Sequence, residues 1–186
     1  MADTMTPSQR HDCMAAIHSS STKPEIRLRK SLWALGFRFR INDKRLPGKP
    51  DIVLPKYRTA IFVHGCFWHG HSGCDKYRIP KTNSDFWTNK IERNKARDQE
   101  VWRRLEAQGW FVLVVWECEL KKKVLPDTVS RVSNNIKENG VLFSQFREYR
   151  RKVSEVYRKE IASKKRMESK LLDEIKGMKS SCSPLK

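Results

Sequence analysis

The chain of 186 residues has no long hydrophobic run. Its longest, Trp110 to Trp116, has seven residues, against the roughly 20 that a helix needs to cross a bilayer. No membrane partner is expected. The N-terminus, Met-Ala-Asp-Thr-Met-Thr-Pro-Ser, lacks the basic and then apolar order of a secretion signal. The five cysteines are therefore expected in a reducing cytoplasm, and their odd number argues against a pure disulfide framework. Acidic residues are scarce, with 21 Asp and Glu against 39 Lys and Arg, for a net charge of +18. Such a surplus suits a polyanionic partner, nucleic acid first. It is spread along the chain: residues 1–120 hold 21 basic and 13 acidic residues (+8), and residues 121–186 hold 18 and 8 (+10). No internal repeat is present. What the chain does have is aromatic side chains, 10% of the total with six Trp. In so basic a chain such rings serve base stacking as well as core packing.

The length is that of about one domain. The polar stretch to about Ser21 carries no assigned chemistry. Thr22-Lys23-Pro24-Glu25 reads as a capping box with Pro in the first turn. Leu28, Leu32 and Leu35 repeat at helical spacing and Gly36 stops the helix, which spans Lys23 to Leu35. Phe37, Phe39 and Ile41 alternate with Arg38 and Arg40, the period of a strand with one buried face. After the turn Leu46-Pro47-Gly48-Lys49-Pro50, Ile52 to Leu54 and Ala60 to Val63 read as neighbouring strands buried on both faces. A helix capped by Asn83 or Ser84 runs to about Gln108, with Phe86, Ile91, Val101, Trp102 and Leu105 apolar and a basic opposite face. Trp110 to Trp116 then forms another central strand, completing a mixed α/β core. Beyond Leu120 a short helix from Pro126 and Asp127 to Gly140 is expected. From Phe143 apolar residues return at three or four, among them Phe146, Tyr149, Val153, Tyr157, Ile161, Leu171, Ile175 and Met178. This reads as a long basic amphipathic helix, either packed on the core or serving as a nucleic-acid arm or partner helix.

Chemistry concentrates between His64 and Asn83, where periodicity is lost and Gly, Cys, His and Pro accumulate. Cys66, His71 and Cys74, with Cys118 at the end of the last core strand, supply three thiolates and one imidazole. That donor set suits a closed structural zinc site, which would stabilise a loop too poor in apolar residues to order itself. Cys13 and Cys182 have no such company. A second group is Gly48-Lys49-Pro50-Asp51. Metal-dependent nucleases of the PD-(D/E)xK type place an Asp at the start of one strand and further ligands on the next. Asp51 fits that position, although Pro-Asp also makes ordinary turns. The second acidic residue and the Lys are missing, and Phe62-Val63-His64 stands in their place.

Pro47 to Asp51, Val63-His64-Gly65-Cys66-Phe67-Trp68-His69, Phe86-Trp87, Arg97-Asp98, and Gly109-Trp110 through Val115-Trp116-Glu117-Cys118 together resemble the very-short-patch-repair (Vsr) DNA mismatch endonucleases. The likeness runs from about residue 8 to 120 and leaves residues 121–186 uncovered. It divides the chain into a Vsr-like endonuclease domain with its zinc site (1–120) and a basic, mainly helical extension (121–186). It implies a restriction-endonuclease-like core, a mixed β-sheet flanked by helices, that nicks double-stranded DNA 5′ to the thymine of a T:G mismatch, the lesion left by deaminated 5-methylcytosine. It further implies catalytic magnesium at Asp51 with the Val63 carbonyl as a further ligand, His69 as catalytic base, and Glu25, His64 and Asp98 as supporting residues. Cys66, His71, Cys74 and Cys118 match the family's zinc ligands. Phe67, Trp68 and Trp87 match its aromatic wedge, which enters the stack beside a weakly stacked mispair.

An imidazole can accept a proton at cellular pH, so His69 can replace the usual Lys. Glu25 also has an ordinary role as capping-box partner, and Asp98 can simply pair with Arg97 or Lys95. The enzyme is expected to act as a monomer on DNA in the bacterial cytoplasm, associated with the nucleoid, with a repair protein as a possible partner of the extension. Two alternatives remain at this point: a restriction or defence nuclease of the same fold without a mismatch requirement, and a zinc-stabilised DNA-binding protein without catalysis.

Overall fold

The computed structural model describes residues 21–180 together with Thr6, Ser8, Gln9 and Asp12, with side chains as far as Asp173. Cys13, Cys182, nearly all of the polar N-terminal stretch and the side chains of Ile175 and Met178 lie outside the described residues. Helix α1 (Lys23–Ala34) begins where sequence patterning places it. Its N-cap Thr22 gives its N–H to the Glu25 carboxylate, and Pro24 occupies the first turn. Leu28 and Leu32 are buried while Leu35, at the C-cap, is exposed.

Strands β1 (Ile52–Leu54), β2 (Thr59–His64) and β3 (Phe111–Trp116) form a sheet in the order β1-β2-β3. β1 runs antiparallel to β2 and β3 parallel to it. A parallel neighbour requires a crossover, and the long loop plus helix α2 (Ser84–Ala107) supply it. Because strand side chains alternate between faces, the apolar runs feed two cores. Ile52, Leu54 and Ile61 pack with Leu28 and Leu32 of α1, whereas Val53, Ala60 and Phe62 pack with Leu105 and Trp110.

Three expectations need correction. Phe37 to Ile41 is not a strand: it makes a single antiparallel bridge, Arg40 to Val53, with bonds of 2.9 and 2.8 Å. The ladder cannot extend: the next hydrogen-bonded position on one side sets Arg38 opposite Pro55, which has no N–H to give, and on the other Asn42 turns away at φ +47°. Trp110 to Trp116 is not central, because β3 lies at the sheet edge among the described strands and most of its residues are half-buried. Gly140 ends nothing: helix α3 runs unbroken over Leu125–Ser180. At Gly140 the helix meets Tyr57, where a Cβ would stand 2.6 Å from Cδ1. Close packing, rather than helix termination, accounts for that glycine.

The chain forms two compact units, Met1–Val141 and Leu142–Lys186. The first extends past residue 120 because Val132 and Ile136 of α3 complete the core around Leu28, Leu120 and Val115. In the second unit most side chains described are exposed.

Candidate active site and metal centre

The start of β1, the end of β2, the loop after it, α1 and α2 converge at the end of the sheet where β2 meets the loop. Asp51 precedes β1 and points its Oδ2 at the Val63 N–H, 2.7 Å away. The bond stands where β1 has ended and no backbone partner remains for Val63. Burial pushes the Asp51 carboxyl up to about 6; the Val63 hydrogen bond opposes this, and the neighbouring Glu25 carboxylate adds to it. Glu25 is itself buried and accepts hydrogen bonds from the Ser21 N–H (2.9 Å) and the Thr22 hydroxyl (2.8 Å). The capping and active-site roles of Glu25 therefore coincide, since the cap brings the carboxylate to the end of the helix that faces Asp51.

Arg29, one turn further along α1, was not singled out from the sequence. Its Nη2 donates to Glu25 Oε2 at 2.7 Å and to the Asp51 carbonyl at 3.1 Å. The pair is largely buried, with side-chain exposures of 11% and 5%. The i,i+4 spacing from Glu25 was the available signal.

His69 lies in the loop, and its Nδ1 is 2.5 Å from Oδ2 of Asp98, a buried residue of α2. Burial alone would raise the Asp98 carboxyl. The hydrogen bond with His69 and the nearby charge of Arg97 oppose it, and the carboxyl stays below its ordinary value. An ionised Asp98 only accepts, so Nδ1 carries the proton and Nε2 is left as the proton acceptor. His64 stacks on His69 with ring centroids 3.7 Å apart and planes at 16°. Burial, and then the neighbouring His69, lower its pKa to about 3, so this ring is neutral. Ligand atoms of His64, His69 and Asp98 lie within 4.8 Å of one another. Stacked rings, however, hold their lone pairs in nearly parallel planes, which suits a positioned base better than a chelate. A cleft of about 300 Å³ opens beside this group, walled in part by Lys95, Gln99, Trp102 and Trp116.

The second cluster follows from strand register. β2 and β3 pair His64 with Trp116, so Cys66 and Cys118, each two residues further on, emerge together. Turns closed by the His71 N–H to Cys66 O (2.9 Å) and the Cys74 N–H to His71 O (3.4 Å) fold the loop back on itself. Gly70, at φ +62°, permits this, because a Cβ there would stand 2.9 Å from Ile91. Ligand atoms of Cys66, His71, Cys74 and Cys118 come within 4.8 Å of one another. The His71 ring stacks flat on Trp116 at 4.1 Å. Three thiols and one imidazole so gathered form a cluster able to hold a metal ion.

Phe67, Trp68 and Trp87 form a third group, with centroid separations of 5.2, 5.3 and 6.0 Å. All three are only half-buried. Lys90 places its Nζ 5.7 Å from the Trp68 ring and 5.8 Å from that of Trp87. Asn94 donates to the Trp68 carbonyl at 2.9 Å. The sequence marks Lys90 only as part of a basic, phosphate-contacting helix face, and it does not single out Asn94.

The profile of a family described as "DNA mismatch endonuclease Vsr" matches residues 2–76. "Type II nicking enzyme V.NmeAIP" of Neisseria meningitidis serogroup A is 52% identical over 139 residues, 74% of this chain and 99% of that protein. "Type II nicking enzyme V.XorIIP" of Xanthomonas oryzae is 50% identical over 120 residues, 64% of this chain and 88% of that protein. The "DNA mismatch endonuclease Vsr" of Escherichia coli is 45% identical over 121 residues, 65% of this chain and 77% of that protein.

Proposed function

The chain belongs to the Vsr family of DNA endonucleases, and from that premise we propose that it nicks double-stranded DNA 5′ to the thymine of a T:G mismatch by magnesium-dependent phosphodiester hydrolysis. The observation that carries this reading is the hydrogen-bonded His69–Asp98 pair beside the half-buried Asp51 and buried Glu25 carboxylates. Beside a cleft, that arrangement offers a proton acceptor and a seat for a hard cation. We assign the core to the restriction-endonuclease-like class, with residues 1–120 as the catalytic part and 121–186 as a basic helical extension.

The residues present fit magnesium. Asp51 has a carboxylate oxygen beyond the one engaged by Val63, and Glu25 crowds it with like charge that a divalent cation relieves. Continuing the β1–β2 register sets Val63 opposite Pro50, which has no N–H to offer the Val63 carbonyl. That carbonyl lies on the same side of the strand as the Val63 N–H and is left available as a ligand. Asp51 and the Val63 carbonyl would hold magnesium, which would supply charge neutralisation at the phosphate. His69 Nε2 accepts the proton of the attacking water, and Asp98 fixes its tautomer and stabilises the imidazolium that results. His64, neutral and stacked, keeps the base ring in place without adding charge. Arg29 ties α1 to the Asp51 backbone.

Cys66, His71, Cys74 and Cys118 hold zinc in this reading, as a closed structural site. Phe67, Trp68 and Trp87 wedge into the base stack. Unstacking costs a few kcal/mol per step and least at a mispair, which supplies selectivity. Lys90 supports the rings and contacts phosphate. DNA in the bacterial nucleoid is the proposed setting, with one protein molecule per lesion; among the described residues no helix is long and apolar enough to cross a membrane.

The test incubates the protein and magnesium with duplexes that differ only in T:G or C:G at one position, in several flanking sequences. Nicking of the thymine strand of the T:G duplex alone is expected. Cutting of both duplexes would instead favour a nuclease without mismatch selection, and binding without cutting in every context would favour a non-catalytic role.

A further inference from the structure

We propose that residues 142–167 of α3 form a docking face for a helix of a different protein, one with an apolar heptad seam bordered by acidic residues. The proposal rests on the second compact unit alone and does not depend on the nuclease reading. Leu142, Phe146, Tyr149, Val153 and Val156 recur at alternating steps of four and three, the spacing that keeps one stripe of a helix facing a partner helix. The stripe is uncovered: Leu142 is 53% exposed, Phe146 56%, Tyr149 66% and Val156 63%. Contiguous apolar surface of this kind marks an interaction site. From residue 142 to Met167, the next apolar seam position, the helix is roughly 38 Å long at 1.5 Å per residue, a length typical of helix pairing.

The positions bordering the seam identify the partner. With Phe146 and Tyr149 at heptad positions a and d, five of the seven e and g positions from 145 to 166 are basic (Arg150, Lys152, Lys159, Lys164 and Arg166), the other two are Gln145 and Tyr157, and none is acidic. Such border positions set partner choice through interhelical ion pairs. Glu148 and Glu155 stand away from the seam and bond within their own helix, to Arg151 at 2.8 Å and Lys159 at 3.2 Å. A second copy of this chain is a poor fit. Parallel pairing brings Lys159 towards the other copy's Lys164, and antiparallel pairing sets e against e and g against g. A DNA duplex would satisfy the charge but leave the apolar stripe in water. A helix with Glu or Asp at its e and g positions satisfies both. Glu160, at an a position within the seam, favours one register through a polar partner at the facing position.

The experiment uses the full-length chain and two labelled synthetic peptides of four heptads. Both carry Ile and Leu at a and d; one has Glu and the other Lys at every e and g. The Glu peptide is expected to bind one to one, more weakly as salt rises, and the Lys peptide is expected not to bind. The double variant Tyr149→Ala, Val156→Ala is expected to lose more than about tenfold in affinity for the Glu peptide while keeping its helix content by circular dichroism. Failure of the Glu peptide to bind, equal binding of both peptides, or binding that survives the double substitution would overturn the proposal. So would sedimentation of the chain as a dimer that the double variant abolishes, which assigns the face to a second copy. A double variant that instead loses affinity for a matched duplex would assign the face to DNA.

Discussion

At Asp98 one hydrogen bond decides what His69 can do. With Asp98 ionised and buried, Nδ1 is held as the donor and Nε2 as the acceptor. Asp98→Asn leaves the ring packed against His64 but removes that control. We expect kcat for nicking to fall by one to two orders of magnitude with little change in DNA affinity, as measured by single-turnover kinetics and filter binding. Asp51→Ala removes the proposed cation seat and should abolish nicking while DNA binding persists; retained magnesium-dependent nicking would refute its role. Arg29 differs in kind, because its removal leaves Glu25 buried against Asp51 with no opposite charge. Arg29→Met should lower stability by roughly 3 kcal/mol in urea unfolding, and Arg29→Lys should recover part of it. A stable Arg29→Met protein would show that the Arg29–Glu25 bond contributes little.

At the scale of elements, the long helix shows where local patterning and packing part company. Gly140 reads as a helix stop because glycine costs about 1 kcal/mol inside a helix. Its neighbour in space, Tyr57, lies far away in the chain. The substitution Gly140→Ala normally stabilises a helix; here the added Cβ meets the ring 2.6 Å away, so we expect destabilisation by about 1 to 3 kcal/mol. A Tyr57→Ala background should return the sign to stabilising, and thermal melts of the four proteins check it. Phe37 to Ile41 carries a genuine period of two, and Phe37 is buried. A period tells which face is apolar but not how long the partner strand is, and Pro55, opposite Arg38, limits that partner.

On the scale of the whole molecule, the metal cluster joins the loop to the end of β3. Cys118→Ser should lose zinc and stability together, with metal content read by atomic absorption and melting followed with and without a chelator; unchanged zinc content would exclude Cys118 as a ligand. Positive charge is present in both halves of the chain, so DNA binding should weaken steeply with salt, in proportion to the phosphates neutralised.

Much of this was legible in the sequence, for a physical reason: cap, turn and ligand chemistry depend on residue type and short spacing. Thr22 to Glu25, the Cys and His of residues 66–74 and the basic helix were all readable locally, whereas Pro50-Asp51 alone reads as an ordinary turn and became a site candidate only through the family resemblance. The structure added what depends on distant partners. The parallel register of β2 on β3 carries Cys66 to Cys118, α2 delivers Asp98 to His69, and Arg29 reaches the Asp51 backbone only because α1 packs across the sheet. Contacts over tens of residues are set by which apolar faces pack together, and no single stretch of sequence encodes that choice.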